Sequence, residues 1–414
     1  MMRDPAAFLR QLFDRAVEVA DPMRSLARFL PDRPGGRLLV IGAGKASARM
    51  AEAVEAEWGP CAGLVITRYG YGRPCRGIEI VEAAHPVPDQ AGVDATRRML
   101  ALLHGLKEED TVLALISGGA SALLCAPAEG MTLAEKQAVN AALLASGAPI
   151  SAMNTVRKHL SRVKGGQLAA AAYPAKLLAL MISDVPGDDP AFIGSGPTVG
   201  DATTPQDARA ILERWAIPVP PSARAALARS GVVPPGDPRL ARSENVIYAA
   251  PAQSLAAAAD LAAPLAEVRT LGDRLEGEAR EVAREQAALA LGVATSLKPG
   301  DRPVLLLSGG ELTVTRRGDG TGGPNAEFCL ALALALDGHP RIHALACDTD
   351  GVDGAAEVAG AVIGPDTLST PGAAEALARN DAHGFFARAA AQVVTGPTLT
   401  NVNDFRAILI LPPG

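Results

Sequence analysis

The chain has 414 residues, of which 48% are hydrophobic and 20% charged, with a formal charge of −6. That length exceeds what one hydrophobic core spans, so two domains are expected. The acidic balance, the absence of like-charge blocks and an aromatic content of only 3% exclude nucleic acid or an anionic membrane as the main partner.

In chain order, Phe8, Leu9, Leu12, Phe13, Ala16 and Val17 mark one face of a helix that Asp4-Pro5 opens. No signal-peptide core precedes it and no long apolar run follows, so a cytoplasmic protein is expected. Short apolar runs then recur at 37–41, 64–67, 112–116, 177–182, 246–248, 304–307, 342–346 and 407–411. Most end in Gly, Ser or Asp and lead into helical periodicity, which is the pattern of an α/β fold with a parallel sheet buried on both faces. Ligands in such sheets bind beyond the carboxyl ends of the strands, so the loops after these runs are the candidate sites. A Pro-rich stretch at 217–245 suggests the domain boundary, giving domains 1–238 and 239–414. The five cysteines are scattered and never spaced as CxxC, so a zinc site or disulfide framework is not expected, and several lie in apolar runs and read as small buried hydrophobes.

After the first run comes Gly42-Ala-Gly-Lys45, suited to bringing Gly44 and backbone N–H groups against an anion beside the Lys45 charge. It is neither a dinucleotide fingerprint nor a Walker loop, and a solvated lysine at a helix start would look the same. Ser117-Gly118-Gly119-Ala-Ser121 follows the run at 112 and is suited to an anion nest, or simply to a tight turn. A similar strand-then-SGG phrase, Ser308 to Glu311, occurs in the second half and hints at two related lobes. In 154–167, Lys158 and Arg162 are read as projecting together, either as a solvated basic face or toward an anionic substrate. The stretch from Ser183 places Asp184, Asp188 and Asp189 among prolines and glycines, where carboxylates could hold Mg²⁺ or accept a hydroxyl proton, or could serve turn chemistry alone. Gly318 to Glu327 reads as a mobile or anion-cradling loop opening a helix at Asn325. Asp348, Asp350 and Asp353 are magnesium candidates, although Val352 and Ala359 rule against a calcium loop.

Together and in this order, GAGKA at Gly42, ISGGASALL at Ile116, NTVRKHLSRVKGGQLA at Asn154, SDVPGDDPAFIGSGPT at Ser183, LSGGE at Leu307, DTDGVDG at Asp348 and TNVNDF at Thr400 resemble the glycerate 2-kinase family. Members of that family have also been called hydroxypyruvate reductases. The resemblance covers nearly the whole chain. It implies a larger Rossmann-like N-terminal domain, a smaller C-terminal α/β domain and an active site in the cleft between them. It further implies ATP and Mg²⁺ as cofactors and D-glycerate phosphorylated at its 2-hydroxyl. Lys45 matches the family's active-site lysine. Many members read GGRNQE where this chain has Gly322-Gly-Pro-Asn-Ala-Glu327, so an arginine often assigned to the site is missing at Pro324; either it is not needed in this branch, or another base such as Arg157, Arg162 or Arg280 substitutes.

On this reading Lys45, Asp184 and Asp189 are the catalytic candidates. Gly44, Ser117, Gly118, Gly119, Ser121, Arg157, Glu311 and Asn325 bind substrate or phosphate, and Asp189, Asp348 and Asp350 hold the metal. D-glycerate and ATP are the partners, with a homodimer left open. The rivals are an NAD(P)H-dependent hydroxypyruvate reductase, which the lack of GxGxxG opposes, and a nucleotide-binding protein that has lost activity.

Overall fold

The computed structural model describes residues 4–354 and 356–414, which divide into two compact units, one spanning Pro22–Tyr248 and the other made of the described residues of 4–21 and 249–414. The division falls about ten residues beyond the expected 238/239 boundary. The first helix also differs from expectation, because it belongs with the C-terminal unit. The reason lies in its apolar face. Phe8, Leu9, Leu12, Phe13 and Ala16 share a core cluster with Leu255, Leu305, Leu345 and Phe405. Phe13 and Phe405 meet ring to ring at 6.0 Å. The helix begins as expected, with the Asp4 side chain accepting from Ala7 N and Pro5 in the first turn.

The unit Pro22–Tyr248 is built on a sheet of β1 (Leu38–Ala43), β2 (Ala62–Arg68), β3 (Ile78–Ala83), β4 (Thr111–Ile116), β5 (Lys176–Ile182) and β6 (Ser243–Ala249). Their order is β3-β2-β1-β4-β5-β6, and β3, β2, β1, β4 and β5 run parallel. Register aligns Ala43 with Ile116 and Ile116 with Met181. Three neighbouring strands therefore end level, and the segments starting at Gly44, Ser117 and Ser183 emerge side by side at one edge. β3 escaped the search for apolar runs. As an edge strand it carries Glu79 toward water, while half-buried Glu82 accepts from Gly70 N and Gly72 N.

The other unit holds β7 (Glu267–Glu278), β8 (Val304–Thr313), β9 (Ile342–Asp348), β10 (Gly360–Ile363), β11 (Gln392–Val393) and β12 (Asp404–Ile410), ordered β11-β10-β9-β12-β8-β7. Here the expectation of a parallel sheet fails. β12 runs antiparallel to both β8 and β9, β10 is antiparallel to β9 and β11, and only β7 and β8 pair in parallel. Continuous apolar runs report that both faces are covered, not which way the neighbours run. Residues alternate as a strand requires. Leu305, Leu307, Leu345 and Leu409 face the helices Pro5–Ala20 and Pro251–Ala262. Leu306, Ala344, Ala346 and Ile408 face the helices Ala279–Ser296 and Pro324–Leu336. No helix among the described residues is long and apolar enough to cross a membrane. The cysteines are free, and all but the half-buried Cys75 are buried.

Candidate active site

The edge where β1, β4 and β5 end gathers most of the expected residues of this unit. Gly44 N donates to Ile66 O and Lys45 N donates to Gly118 O at 2.8 Å, so the β1 loop lies directly on the β4 loop. Ser117 Oγ accepts from Ala46 N at 3.1 Å and lies 3.2 Å from Ser47 Oγ. Gly44 must be glycine. At φ 142° an added Cβ would sit 2.0 Å from Ser117 Oγ and 2.6 Å from Ser117 O. Gly119 has φ 81°, and its missing side chain leaves room for His85 and Lys45, whose atoms would lie 3.1 and 3.2 Å from a Cβ there. Lys45, His85 and Gly119 are thereby packed together.

Gly119 and Ser121 open onto a pocket of about 680 Å³ whose lining includes His85, Lys136, Arg157 and Lys164 and contains no Asp or Glu. Lys136 is 3% exposed and donates to Leu160 O at 3.0 Å. Lys164 is 1% exposed and donates to Ser121 O at 2.8 Å and to Leu124 O and Gly194 O at 3.4 Å. Burial, helped by neighbouring Lys136, pushes the Lys164 ammonium down to about 7. Burial likewise lowers Lys136 and Arg157. Arg157 Nε is buried with no protein acceptor. Burial thus works against the charged forms of these bases, and an anion in the pocket would favour them.

Ser121 Oγ lies 2.8 Å from Ser195 Oγ, in a segment where Gly194, Ser195 and Gly196 all have left-handed φ of 60–65°. For Ser195 that conformation is strained, and its hydrogen bonds to Ser121 and Asn154 hold it. Asp184 and Asp189 lie on the loop after β5, at the same edge. Asp189 is exposed and its Oδ1 accepts from Ala191 N. Asp188, at φ 54°, keeps a buried Oδ1 without a protein donor.

Lys158 and Arg162 do not project together. The helix ends at His159, so Lys158 is buried in an ion pair with Asp201 while Arg162 is exposed. His159 lies between Ser230 and Thr203.

Glu311, Asn325, Asp348 and Asp350 belong to the other unit. Ser308 to Glu311 is no loop there. It lies inside β8, paired with β7 through Glu311 and Glu276, and Glu311 is exposed. The glycines of 318–323 are explained by close packing: a Cβ at Gly320 would strike Asp381 at 2.4 Å and one at Gly323 would strike Asp353 at 2.4 Å. Asn325 is fully buried, its amide donating to Asp404 at 2.7 Å. Asp353 accepts from Asn325 N and Ala326 N, capping the helix that Pro324 opens. Asp348 accepts from Asp350 N and Asp350 from Val352 N, which makes a turn of their own carboxylates. Among the described residues no three His, Cys, Asp or Glu side chains converge to hold a metal. Arg280 is committed to buried Glu327 and to Leu377 O. Of the three bases weighed against the missing arginine, Arg157 is the one that lines the cationic pocket.

Sequence reasoning missed His85, Lys136 and Lys164. Lys136 had a signal, since it shares the buried stripe of its helix with Val139 and Leu143. Lys164 and His85 had none.

The fold and this edge define an α/β protein with a pocket lined by basic side chains beyond the strands of a parallel sheet. The family described as a domain of unknown function (DUF4147) matches residues 8–228, and the MOFRL family matches 304–404. The D-glycerate 2-kinase of Thermotoga maritima is 37% identical over 99% of this chain and 100% of its own. A crystal structure of glycerate kinase from Thermotoga maritima superposes with a TM-score of 0.88 at 36% identity, covering 98% of this chain and 99% of that one. A protein of Agrobacterium vitis with the provisional name hydroxypyruvate reductase is 52% identical over 97% of this chain and 94% of its own. The chain belongs to the glycerate 2-kinase family.

Proposed function

We propose that this protein transfers the γ-phosphoryl group of ATP to the 2-hydroxyl of D-glycerate in the cytoplasm. The observation that carries the reading is the edge where Lys45, His85 and Gly119 meet a pocket lined by three cations and no carboxylate. Phosphoryl transfer asks a protein for alignment and for positive charge where the equatorial oxygens gather it. The strand order of the unit Pro22–Tyr248 and its parallel pairing support a Rossmann-like description.

In the proposed reaction the bond from O2 of glycerate to Pγ forms as the bond from Pγ to the bridging oxygen of ADP breaks. Lys45 faces the glycerate carboxylate and the transferring group, and backbone N–H groups of 117–121 help to hold them. Asp184 or Asp189 orients the 2-hydroxyl and takes its proton. Magnesium commonly relies on one or two protein carboxylates plus substrate phosphates. Asp189 fits that demand, with one oxygen bonded to Ala191 N and its position exposed. Bound there, the ion would offset charge on the phosphates.

The test is ³¹P NMR of purified protein with ATP, Mg²⁺ and D-glycerate. A 2-phosphoglycerate resonance that requires Mg²⁺ is expected. A 3-phosphoglycerate signal overturns the regiochemistry, and NADH oxidation by hydroxypyruvate alone, without phosphorylated product, overturns the kinase.

A further inference from the structure

The pocket beside Gly119 has two chemically different walls. The helix Leu133–Ala145 turns Val139 and Leu143 into the core. Ala134, Ala138, Ala141 and Leu144, spaced at three and four residues, line the pocket from its other side, with Gln137 and Asn140 between them. Leu144 is 65% exposed, and Val87 from the turn 85–88 is 59% exposed. The opposite character comes from Lys136, Arg157 and Lys164, with no acid among the lining residues.

D-glycerate carries an oxygen on each of its three carbons and has no apolar face to set against such a wall. A purine has two. A triphosphate, in turn, is the kind of polyanion that uses several cations at once. A volume of about 680 Å³ lies within the range of nucleotide-sized sites. We propose that this pocket seats ATP, its base on the Ala138–Leu144 wall and its phosphates running over the cations toward Gly119. The assignment rests on the reading of the chain as an ATP-dependent kinase.

The cations act differently. Lys136 and Lys164 spend their donors on backbone carbonyls, and burial lowers both, so they take up charge as a polyanion enters beside them. Arg157 also lines the pocket and is the direct phosphate donor through its outer guanidinium nitrogens, its Nε being closed off from the pocket. Gly119 touches both the pocket and Lys45, so a triphosphate leaving the pocket there delivers its terminal phosphoryl to Lys45. D-glycerate then occupies the Lys45 side of the glycine.

Two measurements test this. Leu144→Glu and Val87→Glu change exposed side chains and add negative charge beside the base. Each is expected to weaken ADP binding about tenfold in calorimetry while moving the KM for D-glycerate less than twofold, and Leu144→Met is expected to bind ADP like the parent. A rise in the D-glycerate KM with unchanged ADP affinity, an equal loss of both, or no effect on either overturns the assignment. Independently of any variant, 8-azido-ATP photolysed on the parent protein is expected to label a peptide within 132–146 or 85–88. Labelling elsewhere overturns it. Labelling there in a protein that does not phosphorylate D-glycerate would sink the kinase reading and leave the nucleotide seat standing.

Discussion

Replacing Gly44 by Ala probes how tightly the β1 and β4 loops must fit. The new Cβ would lie 2.0 Å from Ser117 Oγ and 2.6 Å from Ser117 O. The hydroxyl is held by Ala46 N and Ser47 Oγ, the carbonyl oxygen is fixed by the strand before it, and φ 142° disfavours any side chain. Real carbon contacts begin near 3.0 Å, so the loops must separate by about 1 Å, and a misplacement of about 1 Å can cost about a hundredfold in rate. Strain adds about 1–3 kcal/mol to the folded state. Steady-state kcat/KM for D-glycerate phosphorylation is therefore expected to fall about a hundredfold, with a lowered but cooperative thermal melt. Gly119→Ala meets only side-chain atoms of His85 and Lys45 and should lose less, about tenfold. A Gly44→Ala enzyme within twofold of the parent would refute the claim that contact between the two loops sets the site.

Lys45→Ala should lower kcat/KM by about a hundredfold or more with an unchanged melt; near-parental turnover would remove Lys45 from the chemistry. The Lys164 ammonium titrates near 7 in the folded chain against an ordinary 10.5. The unfolded chain holds that proton where the folded one has released it, so stability rises with pH between those values by up to about 1.4 kcal/mol per unit. Lys164→Met should flatten that rise in urea unfolding followed from pH 7 upward, and an unaltered slope would contradict the shift. Arg280→Met strands buried Glu327 and should cost about 3–5 kcal/mol of stability, whereas Arg157→Ala should raise the KM for ATP with little change in melting temperature. The reverse pattern would exchange their roles.

Much of the unit Pro22–Tyr248 could be read from the sequence because a parallel sheet leaves two marks: apolar runs, and small residues where each run ends. Gly44, Ser117 and Gly119 were found that way, and strand register then places their loops together. Strand direction in the other sheet left no mark, since Leu305 to Leu307 is buried on alternating faces whichever way β12 runs. Ser308-Gly309-Gly310 looked like Ser117-Gly118-Gly119, yet it stays inside a strand. There a Cβ on Gly310 would meet Leu275 backbone at 2.3 Å, so the glycine serves sheet packing. The cationic pocket was largely hidden. Arg157 and Lys164 share one stretch while Lys136 comes from the helix before it, and apart from that helix's buried stripe nothing local distinguishes a lysine ending on a backbone carbonyl from one in water.

The first helix joins a unit whose other residues begin at Ala249, which fixes an order of events during synthesis. When Phe8, Leu9, Leu12 and Phe13 leave the ribosome, the first of their partners, Leu255, is still to come and the last aromatic one, Phe405, is nearly 400 codons away. At typical elongation speeds of about 5–20 residues per second that gap lasts roughly 20–80 s. The unit Pro22–Tyr248 can close while the helix still waits with its apolar stripe uncovered. A chaperone binding the nascent chain would find its target there, and a bulky amino-terminal fusion would burden assembly of the segment made last.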